Sequence, residues 1–472
     1  MEGRARALIG AALVLACGGV RSGPDELVVA VNTPPQKLDP RRALTSQDLL
    51  VSRLAYAGLT TTDTPDGTPA PLLAESIERE APGRWVATLR ADARFWDGTP
   101  VGAADVVFSY PALHPERIDE RRVRFALPEP SATLPADLEA GVVDRKGQGA
   151  GAFSVVRVAP RETELAANPH WAFGAPRLRR VVFRSIEDAS ARLLALAGGS
   201  VDLTHAVDPL VVDALLENPA LKARRAPSSY FAVLGMNLDD PLLRDARVRR
   251  AIAMAIDREG LVAAKLGGRG SAVSSIIPRW SWGYAGEVRL PPYDPAAAHA
   301  LLAEAGALGH PVVVRAWQSL AGAARPIVRQ LDEAGLRAEL RLSDTATLLT
   351  DARKGNFQLA IIAGVGGAEP DALFRFFHPS SIPARGSSDA VWNLWRYRDG
   401  RVAELLATAR RTEDREARKK IYAEVQRQLA EDLPVVPLYQ SDLVAIMRRD
   451  VEGYEPSPTS HYCPLARVWK RR

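Results

Sequence analysis

Few residues in this 472-residue chain have types and spacing that could do chemistry. Gly147-Gln148-Gly149-Ala150-Gly151-Ala152 approximates GxGxxA, the pattern in which a helix N-terminus cradles a pyrophosphate. Such a fingerprint must follow a strand and open a helix, and this one precedes the strand-like run FSVVRV. A second cluster, Gly364-Val365-Gly366-Gly367-Ala368-Glu369, does follow a strand-like run. Its sixth position is a carboxylate, which repels a pyrophosphate, and Pro370 comes next. Neither cluster predicts a dinucleotide site, and no cofactor is expected. Seven histidines are spread singly, none at i, i+4 from another, so no metal-ligand spacing is present. There is no GxSxG elbow and no Walker lysine. Asp239-Asp240 reads as a solvated turn. Without a nucleophile–base pair or a metal set in the pattern, enzymatic turnover is not expected.

The bulk composition bounds the rest. The hydrophobic fraction is 47% and the charged fraction 25%, as in ordinary globular proteins, and the length calls for two or three lobes. Sixty-one basic against 56 acidic residues leave a net charge of +5, scattered rather than gathered into a stripe with aromatics, so a nucleic-acid partner is not expected. The two cysteines, Cys17 and Cys463, make neither a disulfide framework nor a CxxC metal site. Met1–Gly19 has a positive start (Arg4, Arg6) and an apolar run Ala7–Ala16, too short to span a bilayer, which fits a signal peptide. It ends in Val14-Leu15-Ala16-Cys17, which resembles a bacterial lipobox. That resemblance implies cleavage before Cys17, a lipid on its thiol and a body tethered outside the cytoplasmic membrane. Plain secretion with a chance cysteine is the alternative.

The periodicity behind these positions alternates between strand and helix. LVVAV at 27–31, RWVATLR at 84–90, RVRFAL at 122–127 and a short run from Val181 to Phe183 read as strands. Ile186–Ala197 has a helical apolar face. Asp294-Pro295 opens a helix that stops at Gly306. Strand (312–316), helix (325–334), strand (336–342), helix (345–354) and strand (357–363) follow, then a long helix, 413–431, and two further strands, 435–439 and 443–447. Alternation of this kind predicts an α/β architecture.

The longest phrase in the chain, Tyr56–Tyr110, carries AGLTTTDTPDGTPAPLLAESIE and then RWVATLRADARFWDGTPVGAADVVFSY. This segment resembles the hallmark of the oligopeptide- and dipeptide-binding proteins of ABC importers, the family-5 extracellular solute-binding proteins. Further matches follow in order. They are Leu38-Asp39-Pro40, the turn 149–153, Asn168-Pro169-His170-Trp171, SARLLALAGGSVDL, the stretch 243–262, then 293–306, 353–363 and 421–439. The resemblance covers nearly all of the chain after its N-terminal segment.

It implies two α/β lobes that close on a ligand like a hinged clamp, with a smaller subdomain on the first lobe. Carried onto this chain, lobe one is 25–58 and 148–233, the subdomain is 59–147, lobe two is 234–440, and 441–472 returns to lobe one. The run 111–146 is short for the family, which implies a trimmed subdomain. The implied partners are a peptide or similar small solute and an importer permease, with the protein a monomer that meets the membrane only through its lipid. A non-peptide solute (an opine, a sugar, a metal chelate) or a sensor role is the alternative. In relatives an extended peptide pairs with strand-like edges, and the matching positions here are Thr45–Ser46 and Gly364–Gly366, with Val365 replacing the usual aromatic. Relatives hold the ligand's amino group with an aspartate whose position here is Ala368, leaving Glu369 or Asp371 to take the role. Trp392 and Trp395 are expected either to line the cleft or to pack in the core.

Overall fold

Two long antiparallel strands, Leu221–Met236 and Val435–Arg448, lie side by side near the middle of an 11-stranded sheet. The structure, a computed structural model, describes residues 22–43, 45–384 and 392–471, so Cys17 lies outside the described residues. On one side of the pair stand Leu359–Val365, Pro311–Trp317 and Arg337–Ser343. On the other stand Leu203–Thr204, Glu26–Val31, Arg180–Ser185, Glu162–Ala167 and Phe153–Ala159. The molecule is thereby two-lobed, one lobe on each flank of a shared strand pair.

The pair changes register as it passes between lobes. Leu221–Pro227 pairs with Asp442–Arg448, and Phe231–Gly235 pairs with Val435–Gln440. Ser228–Tyr230 fall out of the ladder, and other groups satisfy them. Ser229 N donates to Pro458 O at 3.1 Å, and Ser228 Oγ donates to Ser441 O at 2.6 Å. A bulge bends a strand pair, and this one sits at the neck.

The sequence predicts two separate strands at 435–439 and 443–447, whereas the structure has one. The polar stretch Gln440-Ser441-Asp442 stays extended because it is paired on both flanks, by the long neighbour and by Gly270–Ser271. Helix starts follow aspartate side chains that accept a backbone N–H. Asp188 caps Ala189–Gly198 and Asp414 caps Arg415–Asp432, moving both starts past the predicted 186 and 413.

Each lobe buries apolar faces on both sides of the sheet. A separate four-stranded sheet (Ala74–Ala81, Arg84–Leu89, Arg122–Ala126, Pro115–Arg117) packs with helix Ala103–Ser109 around its own core and forms the subdomain. The chain run 147–152 crosses the C-terminal end of helix Ser46–Ala55 so closely that a Cβ at Gly149 or Gly151 would lie 2.3 Å from a helix carbonyl oxygen. Close packing therefore accounts for those glycines.

The subdomain also reaches across to lobe two, and most of the bridging contacts fall on residues 410–418. Ala132 N donates to Arg410 O at 2.8 Å, Arg418 Nη1 donates to Ala132 O at 3.1 Å, and Arg415 pairs with Asp66 at 2.5 Å. Arg79 pairs with Glu413.

Trp395 is 1% exposed and packs against Gly235 on the shared strand, so it belongs to the core and does not line the cleft. A Cβ at Gly235 would lie 2.0 Å from the Trp395 ring. Gly235→Ala is expected to lower stability by about 1–3 kcal/mol through overpacking, and Trp395→Ala by about 3–5 kcal/mol through the cavity it leaves. Urea denaturation midpoints of the two variants check this.

Candidate functional site

Between the lobes lies a cleft with a cavity of about 950 Å³, walled by lobe one, the subdomain and lobe two. Its most distinctive wall is the end of strand Leu359–Val365. That strand pairs with Tyr230–Met236 along its whole length, but with Pro311–Trp317 only as far as Ile361. Ile362, Ala363, Gly364 and Val365 are therefore in the ladder on one side only, and all four line the cleft. Two small residues and an exposed Val365 keep this edge accessible, and Gly366 N anchors its end to Ser229 O at 2.8 Å. An unpaired edge of this kind offers backbone N–H and C=O groups to an extended chain.

The opposite wall comes from helix Ser46–Ala55, which supplies Leu49, Leu50 and Arg53. Its start corrects one expectation. Thr45 offers no strand-like edge and is not among the cleft-lining residues; it is the helix N-cap, its hydroxyl accepting from Asp48 N at 3.0 Å while Asp48 accepts from Thr45 N at 3.2 Å. This capping box follows from threonine three residues before an aspartate. Ser46 is the first residue of the helix, and its side chain lies outside the described residues.

The cleft is charged, and most of its charges are already paired. Arg53 pairs with Glu139 and also donates to His461 Nδ1 at 3.2 Å, the acceptor role being forced because arginine only donates. Burial, with Arg53 beside it, holds His461 well below the usual imidazole value, so it is neutral. Asp371 receives Arg410 in a two-pronged contact at 2.8 and 2.7 Å. Glu369 is paired with Arg418, and burial nevertheless pushes its carboxyl up to about 7. Both carboxylates that the sequence offers for an ammonium group thus line the cleft, and each is held by an arginine of the same lobe.

Asp137 of the subdomain is different. It lines the cleft, its carboxylate accepts from Thr133 Oγ1 at 2.9 Å, and no arginine or lysine pairs with it among the described residues. Enclosure by the surrounding protein raises its carboxyl above the ordinary value. Ala368 itself is 5% exposed, and a Cβ on the facing Gly67 would lie 2.4 Å from its own, so the subdomain loop covers this position. Trp392 lines the cleft. The sequence reading missed Arg53, Asp137, Glu139, Arg375, Arg410 and His461; each stands in a segment whose local pattern is an ordinary helix or loop.

The comparisons with known proteins agree with this geometry. A probable di/tripeptide-binding protein 5 of Pseudomonas aeruginosa is 29% identical over 299 residues, 62% of this chain and 56% of that protein. The probable D,D-dipeptide-binding periplasmic protein DdpA of Escherichia coli is 24% identical over 92% of each chain. The solved structure of the oligopeptide-binding protein AppA from Bacillus subtilis, in complex with a nonapeptide, superposes with a TM-score of 0.80 at 21% identity, covering 96% of this chain and 99% of that one. The family model for bacterial extracellular solute-binding proteins, family 5, matches residues 68–382, and with two lobes enclosing a cleft the chain belongs to that family.

Proposed function

We propose that this protein captures short peptides in the cleft and hands them to an ABC importer, held to the membrane by a lipid on Cys17. The observation that carries the peptide reading is the one-sided strand end Ile362–Val365 opening onto a cavity of about 950 Å³. An extended peptide backbone would add to this edge, which fixes its position without reading its side chains. The remaining space would hold water and tolerate different side chains. With Glu369 and Asp371 occupied by arginines, Asp137 is the carboxylate left to meet a peptide's ammonium group. Closure of the lobes then depends on how much better the ligand binds the shut form than the open one. The bridging contacts at 410–418 belong to that shut form.

Native mass spectrometry of the protein purified without refolding, followed by denaturing release, tests the reading. A heterogeneous set of short peptides is the expected result, and a single non-peptide mass would replace the peptide with another solute. Asp137→Asn is expected to weaken binding of a free-amine peptide by about tenfold or more while leaving its N-acetylated form nearly unchanged, measured by calorimetry. For the anchor, Cys17→Ala is expected to move the protein from the membrane to the soluble fraction of cells, and a variant that stays in the membrane fraction would count against lipidation.

The raised carboxyl of Glu369 carries a pH signature. Its folded-state value, about 7, lies above the ordinary glutamate value of about 4.3, so the folded state holds the proton more tightly. The associated stability is present below about pH 4.3 and is lost as the pH rises through about 7. Between pH 8 and pH 5, acidification is therefore expected to stabilise the wild type relative to Glu369→Gln, by on the order of 1–3 kcal/mol. Denaturant melts of both proteins across that range show whether the difference grows in this direction.

A further inference from the structure

Ser22 is pinned at one pole of lobe one. Its hydroxyl donates to Asp202 Oδ2 at 2.6 Å, and Lys470 contacts both Ser22 and Asp202. Topology brings four strand ends to the same pole. The parallel strands Glu26–Val31 and Arg180–Ser185 start there, Leu221–Met236 starts there, and Val435–Arg448 ends there with Arg448 opposite Leu221. Ser22 is five residues beyond Cys17, and a fully extended chain of that length reaches about 18 Å at most. A lipid on Cys17 therefore holds this pole, rather than the far end of lobe two, next to the bilayer.

The charge at this pole is a second, independent observation. Part of it is structural: Lys470 pairs with Asp202 at 2.8 Å, Lys222 with Glu452 at 2.9 Å, and Arg448 with Asp450 at 3.5 Å. Arg471 also reaches Glu452. With those acids engaged, Arg177, Arg179 and Arg449 stand exposed, and none has a carboxylate partner among the described residues. Arg449 donates to backbone alone, to Pro219 O at 2.6 Å and Leu221 O at 3.3 Å. The Arg177 Cζ lies 4.6 Å from the centroid of the Trp469 ring. Asp25, whose carbonyl accepts from Arg179 N at 2.8 Å, is an exposed acid beside them. The sequence adds Arg21 and Arg472 next to these segments. Guanidinium groups held this close to a bilayer act on its phosphates within a Debye length, and their flat forks match phosphate oxygens. An indole edged by arginines, apolar in its body and polar at its rim, suits the same headgroup zone.

We propose that this pole of lobe one is a membrane-facing surface that docks on anionic lipid headgroups, with Arg177, Arg179 and Arg449 as its contacts. The lipid on Cys17 then supplies the tether and the arginines fix which side of the protein faces the bilayer. The inference rests on that lipid for the position of the pole, and it is independent of what the cleft binds.

The test uses the chain purified from membranes in detergent, its intact mass read first for a lipid on Cys17. The protein is then diluted into an equal mixture of phosphatidylcholine vesicles and vesicles carrying about 30% phosphatidylglycerol, which are separated by density. The expected result is that wild type is enriched on the anionic vesicles by about tenfold or more at about 0.1 M salt, and that about 0.5 M salt abolishes this. Arg177→Gln/Arg179→Gln/Arg449→Gln is expected to distribute evenly, and Arg177→Gln/Arg179→Gln, which leaves the backbone contacts of Arg449 in place, to lose most of the enrichment. Arg325→Gln/Arg329→Gln/Arg337→Gln, which removes the same charge from exposed positions of lobe two, is expected to keep it. Melting temperatures close to wild type show that the variants fold. A chain without lipid that is still enriched through the three arginines ends the anchor reading and leaves this surface standing. A lipid on Cys17 with equal distribution leaves the anchor and overturns the surface. An enrichment that persists in the triple variant or at high salt overturns it too, as does equal loss in the lobe-two control.

Discussion

Everything in this molecule hangs on the pairing of Leu221–Met236 with Val435–Arg448 and on the slip in its register. A continuous ladder would make one stiff sheet. With Ser228–Tyr230 out of register and tied instead to Ser441 and Pro458, the pair bends at the neck while still holding both lobes by hydrogen bonds. The polar character of 440–442 belongs to the same constraint, because at the neck the strand has less apolar cover than within either lobe.

The cleft is a consequence of where strands stop. Pro311–Trp317 leaves the sheet while its neighbour Leu359–Val365 continues, and the four residues that overrun it face the space between lobes with an open edge. An open edge is ordinarily an aggregation hazard; here it is short, rich in small residues and covered by the opposing lobe and the subdomain. In the peptide reading proposed above, solute binding would use the same feature that would otherwise have to be suppressed.

Electrostatics then sorts the residues around that edge. Three carboxylates and three arginines of the cleft and its back wall cancel one another pairwise, leaving Asp137 on the subdomain and Arg375 on lobe two without an ion-pair partner among the described residues. Pairs such as Arg410–Asp371 and Arg418–Glu369 also connect the cleft to 410–418, where the subdomain meets lobe two. Arg418 touches Glu369 with one nitrogen and the carbonyl of Ala132 with another, so one buried side chain belongs both to the cleft and to the bridge.

Much of this was legible in the sequence. The apolar periodicities, the aspartate caps and the ordered series of phrases shared with family 5 specify an α/β clamp, because local preferences and a long collinear resemblance need no knowledge of distant contacts. The one-sided strand end lies where Gly364–Gly366 points. What tertiary structure alone decided is which charges are free. Glu369 and Asp371 look available in the chain, but arginines 39–49 residues away occupy them, while Asp137 and Arg375 look unremarkable and have no ion-pair partner among the described residues. Likewise Thr45 became a helix cap, and Trp395 a core residue beneath Gly235, three positions from a tryptophan that faces the cleft. A side chain's type is written in the sequence, but its partner is set by packing between segments far apart in the chain, and the charge balance of a site is a property of those partners.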